Sequence, residues 1–336
     1  MTQMQELEKS ILEFKTKFNE EFANDKNVGE EEDVPQILNE LVNAIFQYAA
    51  NDGKRLRPYL LNRINTEFGN SDLNLEDALF GFEILHNSTL IADDVLDGHL
   101  ERRGKPTLLK TYKNKGYSVE HITILASYMM FNMGLEMIAG SELPTEIKLK
   151  YVQAYNEISA SVNMGQVIDL NQRGKLDISE KNYINKIRAT AATFIAKMFY
   201  VGAKDNKDKF EDIGYDLGII FQLADDLMDV NSKKRKGRDL GSDIRMGTPT
   251  LLSIYTYQHL EGSDQRLFGE LFGKEDLNGE DLDWMIEKYQ KTGAVVHVQE
   301  EIEKYQSKVH EGLKDLKIEE PHWLYDLCDY AHQRTN

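Results

Sequence analysis

Residues 91–104 read IADDVLDGHLERRG, and residues 221–229 read FQLADDLMD. Each segment brings three aspartates within five positions, in a chain that already carries 57 acidic residues against 40 basic ones. Carboxylates so crowded raise one another's pKa unless a cation neutralises them. On a helix, positions i and i+4 share a face, so Asp93 and Asp97 project together with Asp94 about 100° around. Asp225, Asp229 and Asp226 repeat that arrangement. Two such helices facing each other offer six carboxylates to one cavity. Hard oxygens of this kind suit Mg²⁺, which keeps several waters and shares its shell with substrate phosphates. The plainer alternative is a pair of solvated acidic helix ends, although carboxylates near a helix C-terminus are slightly unfavourable. Two copies, each closing a long apolar helix, favour the metal site.

Cations stand close by. Arg102 and Arg103 follow the first cluster in LERRGKPT, and NDGKRLRP supplies Lys54, Arg55 and Arg57 after Gly53. Arginine holds phosphate through a planar fork and lysine as a point charge. Taken alone, these residues read more readily as surface salt-bridge partners, the usual fate of such side chains.

The elements that must carry these groups are helical. Apolar residues recur at three and four positions over about 35–50, 56–68, 75–97, 118–139, 145–172, 179–201 and 208–229, with shorter helices beyond 246. Leu7, Ile11, Phe14 and Phe18 predict an amphipathic first helix, followed by a loop to residue 34. No run of alternating β-branched residues marks a strand. The expectation is an all-α protein of about ten or more helices: an N-terminal helix and loop over 1–34, then one compact domain over 35–336.

A net charge of −17 argues against non-specific nucleic-acid binding, and makes a polyanionic substrate workable only through metal. A single cysteine, Cys328, excludes an internal disulfide and fits a reducing compartment. The N-terminal MTQMQELEKS lacks the features of a signal peptide, and no segment reads as a membrane span. A cytoplasmic protein is expected.

GKRLRP, LHNSTLIADDVLDGHLERRGKPT, GQVID, FQLADDLMD and GRDLGSDIRMGTPTLL occur in the order found in trans-isoprenyl diphosphate synthases, which the chain resembles from about residue 35 onward, through TGAVVHVQEEIEKY at 292–305. The resemblance implies an all-α fold around a deep central cavity with both aspartate motifs at its mouth. It implies Asp93, Asp94, Asp97, Asp225 and Asp229 as ligands, direct or through water, for Mg²⁺, three ions when an allylic diphosphate is bound, with Asp226 in the same catalytic cluster. Gly53, Lys54, Arg57, His86 and Arg103 match positions that bind isopentenyl diphosphate. Arg102, Gln222 and Arg238 match the allylic side, and Gln166 and Asp169 of GQVID are either site residues or structural. The implied reaction ionises the allylic diphosphate, adds the isopentenyl double bond to the cation and releases a proton, with pyrophosphate as the base. A homodimer is expected, with a heterodimer containing a small subunit as the alternative.

The match departs from the family in its cations. A Lys-Thr pair usual in the family aligns with Thr190 and Ala191, and Thr248 stands where a second lysine often occurs. Arg188, Lys186 and Lys197 are the candidates to compensate, and the basic run 233–238 is a loop or a cationic flap. Three readings stay open: an active chain-elongating synthase, a subunit dependent on a partner, and, weakest, a terpene cyclase. The family's product-length positions are Ser88 and Thr89, both small, with Tyr128, Met130 and Phe131 as lower floor candidates. A C25 to C40 product is expected.

Overall fold

The three- and four-residue apolar spacing resolves into helices in a computed structural model that describes residues 36–50, 53–102, 104–113, 118–231 and 240–333. The expected first helix, the loop to residue 34, Arg103 and the basic run with Arg238 lie outside the described residues. By packing, the chain divides into two compact units. One comprises residues up to Ser159 together with Val201–Asp205; the other comprises Ala160–Tyr200 and everything from Asn206.

The first unit contains α1 (Gln36–Ala50), α2 (Leu56–Phe68), α3 (Glu76–Leu96), α4 (Leu108–Tyr112), α5 (Val119–Gly140) and the first half of α6 (Thr145–Gln172). Glu76 and Asp77 lie in the first turn of α3, where acidic side chains complement the helix dipole. Gly98, at φ 65°, ends the helix directly after Asp97 because a left-handed residue cannot continue it. The first aspartate motif is therefore a helix terminus. α3 and α5 approach through two glycines: a Cβ on Gly81 would lie 2.6 Å from the Gly134 carbonyl, and one on Gly134 2.7 Å from the Gly81 carbonyl. Phe82, Tyr151 and Tyr155 fill the core beside that crossing.

Two features of this unit differ from the sequence reading. Two-residue strands, β1 (Glu101–Arg102) and β2 (Lys105–Pro106), pair antiparallel and are too short to register as alternation. By length and composition α5 is also apolar enough to cross a membrane, alone among the described helices. Its apolar residues serve two faces. One side packs on α3 through Gly134 and buries Met130, while Ile124, Leu125 and Tyr128 are exposed on the other.

The second unit holds the rest of α6, then α7 (Glu180–Ile187), a π-helical turn (Arg188–Ala192), α8 (Thr193–Gly202), α9 (Lys207–Asp229), α10 (Ser242–Met246), α11 (Leu251–His259), α12 (Gly262–Leu271), α13 (Gly279–Lys291), α14 (Ala294–Asp315) and α15 (Trp323–Gln333). Side-chain caps set several starts: Ser179 accepts from the Asn182 amide, and Thr250 and Ser253 form a reciprocal capping box. On α14, Val298, Ile302, Tyr305, Val309 and Leu313 form one buried stripe. The expected helix 179–201 is interrupted by the π turn. Its extra residue brings the Ala192 backbone against α9, where a Cβ on Gly218 would collide with Ala192 and one on Gly214 would lie 2.6 Å from the Ala196 Cα. Two glycines one turn apart thus let α9 lie close to α8, and the second aspartate motif begins two turns further on.

Candidate active site

In the first unit, the three aspartates of α3 have different surroundings. Asp93 and Asp97 are half-buried, whereas Asp94 is buried. The Tyr48 hydroxyl, from α1, donates to Asp94 Oδ2 at 2.7 Å. Arg102 bridges the motif, with Nε on Asp94 Oδ1 at 2.7 Å and a terminal nitrogen on Asp93 Oδ2 at 2.8 Å. Burial pushes the Asp94 carboxyl up, against the opposing pull of Arg102 and the Tyr48 hydrogen bond. His99 lies 3.8 Å from Asp97. Arg102 is held in place by the hairpin. The buried Thr107 donates to the His99 carbonyl at 2.7 Å, its amide donates to the Leu100 carbonyl at 3.0 Å, and its side chain caps α4. The threonine of GKPT therefore braces the turn that carries the arginine.

Two turns below Asp93, Arg57 of α2 meets His86 Nε2 at 3.0 Å. Lys54 is exposed and Gly53 half-buried at the entry to α2. The Ser88 hydroxyl is turned back to the Leu85 carbonyl (2.7 Å) and that of Thr89 to His86 (2.8 Å), so both present little bulk. Ser127 of α5 donates to the Ser88 carbonyl at 2.9 Å. Phe131 packs on Tyr155 with ring centroids 5.2 Å apart, and Met130 is buried. Tyr128, an expected floor candidate, is instead on the outward face of α5 with 65% of its surface exposed. A position two before Met130 on this helix lies roughly opposite it.

The second unit repeats the first motif's pattern in its middle residue, but its last aspartate, Asp229, is also buried. Asp225 is exposed, and Asp226 is buried between the Tyr183 hydroxyl, which donates to Oδ2, and Gln222 Nε2, which donates to Oδ1 at 2.8 Å. Burial pushes Asp226 upward, with those two hydrogen bonds opposing. Asp229 accepts from the Ser242 hydroxyl at 2.8 Å and the Asp243 amide at 3.1 Å. The six carboxylates expected from spacing thus differ in their surroundings. The middle aspartate of each motif turns inward onto a tyrosine.

The sequence matches the polyprenyl synthetase family over residues 39–289. The chain belongs to that family. It is 30% identical to the geranylgeranyl diphosphate synthase of Sulfolobus acidocaldarius over 259 residues, 74% of this chain and 76% of that one. It is 27% identical to component 2 of the heptaprenyl diphosphate synthase of Bacillus subtilis, over 79% of this chain and 74% of the other. The crystal structure of a geranylgeranyl pyrophosphate synthetase from Pyrococcus horikoshii superposes with a TM-score of 0.83 at 25% identity, covering 100% of this chain and 99% of that one. The expected all-α fold is the fold observed, and the chain is a prenyl-transferring enzyme of the polyprenyl synthetase family.

The two threonines noted in the second unit, and the cations that could compensate for them, have defined surroundings. Thr190 lies in the π turn, its hydroxyl on the Lys186 carbonyl at 2.9 Å and its methyl against Gly165. Ser161 donates to the Ala189 carbonyl at 2.9 Å, satisfying a group within the π turn. Of the three compensating candidates, Arg188 stacks on Tyr215 at 4.1 Å and Lys197 pairs with Glu211 at 2.7 Å. Only Lys186 joins the motif residues. It is buried, 2.8 Å from Asp169 Oδ1 and 3.3 Å from the Pro249 carbonyl. Thr248 is half-buried, its amide donating to the Asp243 carbonyl at 2.9 Å. Tyr48 and Tyr183 were not identifiable from sequence: each lies more than forty residues from its aspartate and reads as an ordinary core tyrosine of an amphipathic helix.

Proposed function

We propose that this chain condenses isopentenyl diphosphate with an allylic diphosphate to give a longer all-trans polyprenyl diphosphate, with Mg²⁺ as cofactor. The observation that carries this reading is the juxtaposition on α3. Asp93, Asp94 and Asp97 end the helix with Arg102 paired to the first two, and two turns lower Arg57 stands on His86. Acidic donors for metal and cationic donors for phosphate in one unit suit a diphosphate substrate in a chain of strong negative charge.

The donor chemistry fits Mg²⁺. Asp93 and Asp97 offer hard oxygens one turn apart, and Asp225 offers the same in the second motif, with Asp229 oriented by Ser242 and the Asp243 amide. Among the described residues no three acidic or imidazole groups already converge, so water and substrate oxygens would complete each shell. When bound, Mg²⁺ would neutralise the diphosphate and improve it as a leaving group. In this reading Asp94 and Asp226 orient their neighbours from the buried side. Arg102 and Gln222 serve the allylic diphosphate together with Arg238, and Gly53, Lys54, Arg57, His86 and Arg103 hold isopentenyl diphosphate. The allylic carbon–oxygen bond breaks with its electrons leaving on pyrophosphate. The isopentenyl double bond forms the new carbon–carbon bond, and pyrophosphate takes the proton that leaves.

Product length is inferred from the length of α3 below Asp93. Phe82, His86, Thr89 and Asp93 share one stripe of that helix, and Phe82 belongs to an aromatic layer with the buried Tyr155 and the half-buried Phe131. Eleven residues of helix span about 16 Å. An extended isoprene unit covers about 5 Å, given carbon–carbon bonds of ~1.5 Å. Three to four units fit above the aromatic layer, which draws the C25 to C40 range suggested by Ser88 and Thr89 down to about C15 to C20. A homodimer, formed by covering the exposed Ile124, Leu125 and Tyr128 of α5, and a cytoplasmic location belong to the same reading.

A second reading is a subunit that needs a partner, favoured by the uncharged Thr190 and Thr248 and by the likeness to a protein named as a component. One experiment separates them: the purified protein with Mg²⁺, isopentenyl diphosphate and primers from C5 to C20, analysed for products. Turnover by the single chain, reduced by orders of magnitude in Asp93→Ala and Asp225→Ala with unchanged circular dichroism, supports the synthase. Inactivity of the folded protein with every primer refutes it.

A further inference from the structure

Between Lys54 and Arg57 stands an arginine in a different situation. Arg55 is 2% exposed, and its backbone is left-handed, with φ 51° and ψ 32°. A side chain is disfavoured in that region, where glycine is the residue of low cost. The arginine is retained there by two tethers. One terminal nitrogen donates to Glu83 Oε1 at 2.6 Å, and the other donates to the Ala49 carbonyl at 2.7 Å. Glu83 is itself buried and also accepts from Asn87 Nδ2 at 3.4 Å, while the same amide donates to the Glu83 carbonyl at 2.7 Å.

One turn further along α3 is His86, the partner of Arg57. Arg55–Glu83 and Arg57–His86 are therefore two rungs between one turn of chain and one helix, the first buried and the second half-buried. A buried ion pair adds little net stability, because desolvation offsets the attraction, but losing one partner strands the other. A left-handed arginine persists only where its surroundings over-determine it, and such positions gather at functional turns.

We propose that Arg55 and Glu83 are a positioning pair for the isopentenyl diphosphate half of the site. Neither touches substrate. Together they lock residues 53–57 against α3, so that Lys54 is presented outward and Arg57 is held at His86. This rests on the reading of Lys54, Arg57 and His86 as the isopentenyl diphosphate site, and it predicts an effect confined to one of the two substrates.

The test is Glu83→Gln, which keeps the shape and removes the charge, and Arg55→Gly, which suits the left-handed backbone and removes the tether. Isopentenyl diphosphate binding is measured by calorimetry, and the KM of each substrate, kcat and the melting temperature are determined alongside. Each variant is expected to weaken isopentenyl diphosphate by about tenfold or more, the scale of one charge-assisted contact, with the KM for primer and kcat within about twofold of the parent. Arg55→Lys, which keeps the charge on a single tether, is expected to recover part of the loss. A lower melting temperature with unchanged isopentenyl diphosphate affinity, or equal weakening of both substrates, overturns the proposal. Arg57→Ala in the same assays separates the two levels. If it weakens isopentenyl diphosphate and Glu83→Gln does not, only the positioning role fails; if Arg57→Ala has no effect, the half-site reading fails and the proposal with it.

Discussion

Replacing Arg102 by alanine tests the arrangement of the first motif without any need for turnover. Arg102 has two carboxylate partners with different environments: the Asp94 side chain is 1% exposed and that of Asp93 is 26% exposed. Removing one member of a buried pair costs about 3–5 kcal/mol, whereas a partly exposed pair contributes about 1 kcal/mol or less. Nearly all of the loss in Arg102→Ala should therefore come from Asp94, left buried with the Tyr48 hydroxyl still donating to it but the Arg102 Nε–H gone. Against a total stability of about 5–15 kcal/mol, such a loss is a large shift in the urea midpoint.

The pH dependence gives the sign. Burial already holds the folded-state pKa of Asp94 above its ordinary value, with Arg102 pulling the other way. A carboxyl with a raised folded pKa makes the fold less stable as pH rises through that value, and removing Arg102 raises it further. The destabilisation should be largest near pH 8 and should shrink toward pH 5 as Asp94 takes up a proton. Urea unfolding in chelator at both pH values, on Arg102→Ala, Asp94→Asn and the double variant, measures it. The double variant should recover about 2–4 kcal/mol relative to additivity at pH 8. An equal loss at pH 5 and pH 8, or an Asp94→Asn background that rescues nothing, would refute the assignment of Asp94 as the buried partner.

Thr89→Phe should fill the bore one turn below Asp93 and shorten the product, while Phe131→Ala should lengthen it by one or more C5 units; chromatography of dephosphorylated products decides, and unchanged lengths in both place the chain elsewhere. Thr190→Lys should lower the KM for primer by about tenfold if the synthase lacks a cation there, with steady-state kinetics as the measure. Tyr128→Asp, or Leu125→Asp, should dissociate a homodimer while leaving helicity intact, read by sedimentation velocity. An unchanged sedimentation coefficient would mean that the outward face of α5 is not the seam.

What was legible in the sequence was periodic or local. The helices follow from apolar spacing, and the end of α3 follows from Asp97 and Gly98. The π turn was not legible, because its cause is tertiary: Gly214 and Gly218 admit Ala192 and Ala196 to backbone contact, and nothing within RATAA specifies an extra residue. The outward face of α5, with Tyr128 on it, was not legible because periodicity reports that a helix is apolar, not how many faces it must satisfy. Arg55 read as one more surface cation beside Lys54, since burial and a left-handed backbone depend on Glu83, 28 residues away. The site residues were found by type and spacing, but their division into outward and inward carboxylates depends on tyrosines supplied by other helices.

That division bears on how so acidic a chain could hold a diphosphate. Burying Asp94 and Asp226 is unfavourable in itself, as the upward push on both shows. What it provides is rotational definition: with the middle carboxylate pinned to Tyr48 or Tyr183, the residues one before and three after it have a fixed direction. Among the described residues of the second unit, the cations that could compensate are already engaged: Arg188 by Tyr215, Lys197 by Glu211, and Lys186 by Asp169, which Arg173 shares. An anion recruited there would be attracted chiefly by metal held on the outward carboxylates. Rigid carboxylates matter more in such a site than in one with its own lysines, because each ion must be placed by few protein ligands and shared with the substrate.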